Sequence, residues 1–230
     1  MGQAKINADA FRALPFWSWN DRLEPDRLRE QIRQMKDQGI GGFFMHARGG
    51  LETPYMGEEW FEAVQVCIDT AKELGMQAWA YDENGWPSGF ADGRVPRKGE
   101  AYQQKRMEFR EIGELGPEDR VLGYFCRQDG RCTRRETAEG ADCAVILIVN
   151  PYYIDALSRD CTEEFIRCVH EEYYRRFGDE FGKGLRGFFT DEPQYGRYMI
   201  PYTAALEEEF TRRYGYSALD RLALLFVDAE

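Results

Sequence analysis

Gly184-Leu185-Arg186-Gly187-Phe188-Phe189-Thr190-Asp191-Glu192-Pro193 is an apolar run that ends in two adjacent carboxylates and a proline. Proline cannot donate to a strand ladder, so the strand stops there and leaves its acids at its carboxyl end. Alternation puts Arg186, Phe188, Thr190 and Glu192 on one face, and Leu185, Phe189 and Asp191 on the other. The first face is the more polar, which makes it the expected lining of a site. A lone Asp-Glu pair can also do no more than cap a loop.

Three similar strands precede this one. Residues 12–20 read as the first, with Trp17 and Trp19 near its end. Pro25 then suits the first turn of a helix carrying Leu28, Ile32 and Met35 at helical spacing, closed near Gly39. Residues 41–48 form the second strand, with Phe43, Met45 and Ala47 facing one way and Phe44, His46 and Arg48 the other. Phe61, Val64, Ile68, Ala71 and Leu74 mark a second helix before Gly75. Residues 76–83 form the third strand, ending Tyr81-Asp82-Glu83, and Asn84 to Gly89 is a run of turn formers. Between about 105 and 150 short β-like runs alternate with turns. Thr162 is the expected cap of a helix with Glu163 and Glu164 in its first turn and a stripe of Phe165, Val169, Tyr173 and Phe177. His170 lies beside that stripe and reads as a packing or surface residue. Two further helical patterns follow, one through Leu206, Phe210 and Tyr214, one from Ser217 to Val227.

Strand, helix, glycine, strand, repeated four times, implies an α/β fold with a parallel sheet and right-handed crossovers. No Gly-x-Gly-x-x-Gly follows the first strand, so a doubly wound nucleotide-binding sheet lacks support. The expected architecture is a partial TIM-type (β/α) barrel of about four βα units with a β-rich insertion after the third strand. Residues 10–100 hold the first three strands, 101–152 the insertion, and 153–230 the fourth unit with the C-terminal helices. A complete barrel takes roughly 250 residues. The open edge therefore calls for a missing barrel half or a second copy of the chain.

Composition narrows the function. A 230-residue chain with 43% hydrophobic and 14% aromatic residues can bury a sizeable core. A net charge of −11 argues against nucleic acid or an anionic membrane surface as partner. No apolar run is long enough to span a bilayer, and Met1 to Ala10 lacks a signal-peptide core. Six cysteines without Cys-x-x-Cys spacing read as free thiols in a reducing, cytoplasmic setting. With only two histidines, a histidine-rich metal centre such as a metal-dependent amidohydrolase requires is not expected.

Every strand end carries polar or aromatic residues: Trp17, Trp19 and Asn20; His46 and Arg48; Tyr81, Asp82, Glu83 and Trp86; Asp191, Glu192 and Tyr195. In a parallel sheet these ends share one rim, where α/β barrels place their chemistry. If Ala78 and Ala80 pack against helices, Glu83 points inward, as Glu192 is expected to do. Neighbouring strands lie about 4.8 Å apart, so the two carboxylates fit the ~5–9.5 Å separation of glycoside hydrolases. Aromatic platforms with carboxylates suit a sugar, which stacks on rings and hydrogen-bonds through its hydroxyls. Crowded carboxylates also split their pKa values, leaving one as acid and the other ionised.

Pro15-Phe16-Trp17-Ser18-Trp19-Asn20, Gly41-Gly42-Phe43-Phe44-Met45-His46, Tyr81-Asp82-Glu83-Asn84-Gly85-Trp86-Pro87-Ser88-Gly89 and Phe189-Thr190-Asp191-Glu192-Pro193 resemble the N-terminal half of the barrel in glycoside hydrolase family 106-like proteins. That group is associated with α-L-rhamnosidases. The resemblance implies a (β/α)8 catalytic domain that cleaves terminal deoxysugars with carboxylic residues, in some cases with calcium near the site. Glu192 also looks like the fourth-strand acid of many retaining barrel glycosidases, whose partner lies on a seventh strand that this chain lacks. Two expectations result. One is a glycoside hydrolase with Glu192 as general acid and Glu83, or a residue outside this chain, as base or nucleophile. The other is a carbohydrate-binding or assembly module that keeps the aromatic rim without the chemistry.

Overall fold

A computed structural model describes residues 11–128, 131–196 and 198–227. In chain order the elements are β1 (Phe16–Trp19), α1 (Pro25–Asp37), β2 (Gly42–Ala47), α2 (Glu58–Leu74), β3 (Gln77–Asn84), β4 (Gln103–Glu111), β5 (Arg120–Gln128), β6 (Arg131–Arg135), β7 (Cys143–Ile154), α3 (Arg159–Cys168), α4 (His170–Phe177), β8 (Leu185–Phe189), β9 (Ile200–Tyr202) and α5 (Leu206–Tyr214). The described residues form two compact units, one of residues 11–92 and 165–193, the other of residues 93–164 and 194–227. The chain is a mixed α/β protein with one parallel and one antiparallel sheet.

The first unit is built on the parallel sheet, in the order β1-β2-β3-β8. A doubly wound sheet reverses its strand order at a switch point; this one steps in a single direction. One face carries the helices. There Trp19 packs between Trp17 and Trp60 at 5.6 and 4.9 Å, and Trp60 donates its indole N–H to the Tyr173 hydroxyl at 3.0 Å, tying α2 to α4. Phe43, Met45, Ala78 and Ala80 are fully buried on that side. The stripe expected before β8 is buried as read, Phe165, Val169, Tyr173 and Phe177 alike. Its helix is two helices, however, and Ser158 rather than Thr162 begins it, accepting the Thr162 and Cys161 amides. Gly75 closes α2 in a left-handed conformation, φ 64°, which costs a residue without Cβ nothing.

Gly42 makes the start of β2 possible. A Cβ there would collide with the Gln77 carbonyl and lie 2.6 Å from Leu14 Cδ2. Because backbone must move to admit it, Gly42→Ala is expected to cost about 1–3 kcal/mol. A urea midpoint equal to wild type would contradict this close approach.

The second unit is the antiparallel sheet β6-β5-β7-β4-β9. The β-rich segment expected over 101–152 supplies four of its strands. Residues after Pro193 depart from the reading that assigned them to the fourth βα unit. The short strand β9 pairs with β4, and a 3-10 segment, Ala218–Leu225, lays Leu222 and Ala223 against Met107, Phe125, Cys143 and Val145. The reason is local. Ile200, Tyr202 and Leu206 are apolar side chains that pack, partly buried, against this sheet's core, and helical spacing alone does not say which surface a segment covers. All six cysteines are unpaired. Among the described residues no helix is long and apolar enough to cross a membrane.

Candidate functional site

The helix-free face of the parallel sheet is an aromatic floor. Phe16 lies 5.3 Å from Phe44 and 4.8 Å from Phe189, and Phe44 packs on Trp79. Tyr81 and Phe189 stack nearly parallel at 5.9 Å. Phe16 remains half exposed. At the carboxyl end of this floor three strands deliver polar groups. His46, from β2, stacks on the Tyr81 ring at 3.4 Å, with its Nε2 3.1 Å from the Gly85 carbonyl. Tyr81, from β3, donates its hydroxyl to Asp191 Oδ2 at 2.6 Å, and Asp191 sits two residues past the end of β8.

Electrostatics fix the state of these groups. Burial holds the His46 imidazole below its ordinary value. Burial, then the hydrogen bond to Asp191, pushes the Tyr81 phenol far above its own. At neutral pH the ring is therefore neutral, and the phenol is a neutral donor to Asp191.

The faces of β8 are the reverse of the expected ones. Phe189 and Asp191 face the floor, whereas Phe188 packs against His170 and Tyr173 on the helix side and Thr190 reaches the buried Asp82. Gly187, at φ 159°, and the register shift between Ala78 and Ala80 accompany this, and polarity was a poor guide because the polar Thr190 has a buried polar partner. Glu192 is exposed in a left-handed conformation, φ 42°.

Glu83 departs furthest from its expected place as an inward catalytic partner. It is fully buried, and its two oxygens accept four backbone N–H groups: Asn84 and Asp92 on Oε1 at 2.9 and 2.7 Å, Gly89 and Ala91 on Oε2 at 3.1 and 2.7 Å. Ala91 and Asp92 are left-handed, φ 50° and 54°, a conformation that costs non-glycine residues strain and here accompanies amides donated to the carboxyl. Glu83 thus organises the 84–92 loop instead of facing a ligand. Burial pushes its carboxyl up to about 7, against the pull of the four donors. A value raised in the folded state stabilises fully below the ordinary 4.5 and is lost as pH rises through about 7. A displacement of that size is worth about 3 kcal/mol. Wild-type stability is expected to fall by about that amount between pH 4.5 and 7.5 relative to Glu83→Gln. Parallel urea-midpoint profiles for the two proteins would refute it.

Asp82, expected to contact substrate, is also fully buried. Trp17 and Trp19 lie on the helix side, where with Asn20 they border a groove of about 140 Å³ between β1 and α1; Trp17 donates to Gln31 there. Alternation on so short a strand left open which face its tryptophans take. Arg48 and Trp86 are exposed at the rim. Tyr195 belongs to the second unit. Sequence reasoning missed Phe16, Ser88 and Phe189 as parts of the site, and set Thr190 on the site face where the structure turns it to Asp82. Ser88 was legible only as part of the Pro-Ser-Gly turn.

A calcium ion needs six to eight oxygen ligands. Among the described residues no group of three or more His, Cys, Asp or Glu could hold a metal, and the Glu83 oxygens are taken by N–H donors.

No protein-family model matches the chain, and no curated protein matches it. Among solved structures, a rhamnosidase from Novosphingobium sp. PP1Y aligns at 22% identity with a TM-score of 0.37, over 54% of this chain. The chain spans 12% of that protein's length.

Proposed function

We propose that the first unit is part of a (β/α) barrel of the glycoside hydrolase type, binding a terminal sugar such as an α-L-rhamnoside at the carboxyl ends of its strands. The observation that carries this reading is the meeting of His46, Tyr81 and Asp191, from three strands, at the end of an aromatic floor. Rings stack on the C–H face of a sugar, and a carboxylate with a free oxygen accepts from its hydroxyls. In this reading Asp191 binds and orients the sugar, and Glu192, exposed one residue on, is the general acid. The base or nucleophile comes from outside the four strands, because Glu83 is committed to its loop. Further strands, from a second copy or another segment, would cover the aromatic face and supply it.

A second reading, a sugar-binding module without turnover, is favoured by that same commitment of Glu83, which leaves no second inward carboxylate among the described residues of the unit. Hydrolysis of a panel of nitrophenyl glycosides, with particle mass measured on the same sample, separates the two. Release of nitrophenol supports the hydrolase. Sugar affinity without release supports the module, and neither in a folded sample removes both.

A further inference from the structure

Asp82 is fully buried and yet holds a complete set of donors. The Ser88 hydroxyl donates to Oδ1 at 2.5 Å and the Thr190 hydroxyl to Oδ2 at 2.5 Å. His170 Nε2 stands 3.3 Å from Oδ2. These are the residue types of a nucleophilic triad in the wrong order. The carboxylate sits between serine and imidazole, and a nucleophile needs the imidazole next to its hydroxyl. Ser88 is also fully buried, beyond the reach of a substrate.

What Ser88 does instead is hold Asp191. Its hydroxyl oxygen accepts the Asp191 amide at 2.8 Å, and its own amide donates to the Asp191 carbonyl at 2.8 Å. A hydroxyl has one proton. Spending it on Asp82 leaves the lone pairs turned to the Asp191 N–H, and a donor to a carboxylate is the better acceptor for it. Thr190, the residue before Asp191, is fixed by the same carboxylate. Two successive residues beyond β8 are therefore pinned through Asp82, and the Asp191 side chain is left aimed at the Tyr81 hydroxyl.

We infer that Asp82 is a positioning residue: through Ser88 and Thr190 it sets the backbone of Asp191 and so the Tyr81–Asp191 hydrogen bond. The sequence pointed to Asp82 as a substrate contact; its action is one step removed from the ligand. The inference rests on the sugar-site reading for its purpose, but its geometry is independent of that reading.

Amide hydrogen exchange of the whole chain tests it. In wild type the Ser88 and Asp191 amides, both hydrogen-bonded, are expected to exchange slowly. Ser88→Ala and Asp82→Asn are each expected to speed Asp191 exchange at least tenfold, with the amides of α1 unchanged, whereas Thr190→Ser keeps the wild-type rate. Should Asp82→Asn fail to fold, Ser88→Ala and Thr190→Val carry the test. Unchanged Asp191 exchange in Ser88→Ala overturns the inference, as does acceleration spread equally over α1. If the wild-type chain hydrolyses a glycoside, Ser88→Ala lowers kcat at least tenfold at constant KM, and a loss confined to KM also overturns it. A wild type without turnover removes the hydrolase reading alone, and the exchange rates still decide.

Discussion

Glu83→Leu is expected to destabilise the protein by on the order of 4 kcal/mol, measured as a shift of the urea midpoint at constant m value. Four backbone N–H groups lose their common acceptor. A donor left unsatisfied in the interior costs about 1–3 kcal/mol. The sum overstates the loss, because the 84–92 loop can open and let water in. Even so, 4 kcal/mol is a large part of the 5–15 kcal/mol typical of a folded protein. Glu83→Gln keeps one oxygen for two donors and turns an NH₂ group toward the other two, so its loss should be about half as large near neutral pH. The size of the effect separates two roles. Replacing a catalytic carboxylate usually leaves stability unchanged or raises it, since active sites are strained for function. A loss below about 1 kcal/mol for the leucine variant would return Glu83 to the catalytic candidates.

Glu83 also shows where sequence reading succeeds and fails. Four strands, their order of appearance and the buried stripes of α2 and α4 were all legible, because hydrophobic periodicity records which face is covered. Parity carried through β2 and along β3 to Tyr81. It held along β8 as well, where Phe188 and Thr190 share one side and Phe189 and Asp191 the other; polarity picked the wrong one of the two, because Thr190 turns to the buried Asp82. Parity also loses its meaning at the last residues of a strand. Glu83, next to last in β3, turns into the loop that follows, and the glycines that allow the turn, Gly85 and Gly89, are visible without their consequence. The same limit applies to the tail. Ile200, Tyr202 and Leu206 are apolar in the right rhythm, but which of two sheets they cover is a property of the assembled surfaces.

Asp191 and Glu192 give the second large effect. Asp191→Asn keeps an oxygen to accept the Tyr81 hydroxyl, so the fold and the hydrogen bond should survive while the negative charge goes. In the hydrolase reading turnover should fall by about 10²-fold, the order of loss when a substrate is no longer held in its reacting geometry. Sugar affinity should weaken far less, because a neutral amide still accepts from a hydroxyl. Glu192→Gln should abolish turnover and leave affinity near wild type, since that side chain is exposed and is assigned to proton transfer alone. Measuring both quantities for both variants separates the readings, because the second predicts the same small changes in affinity and no turnover to lose in either variant. Turnover that survives Glu192→Gln would strip that residue of its role. The acid would then have to come, like the base, from outside the four strands.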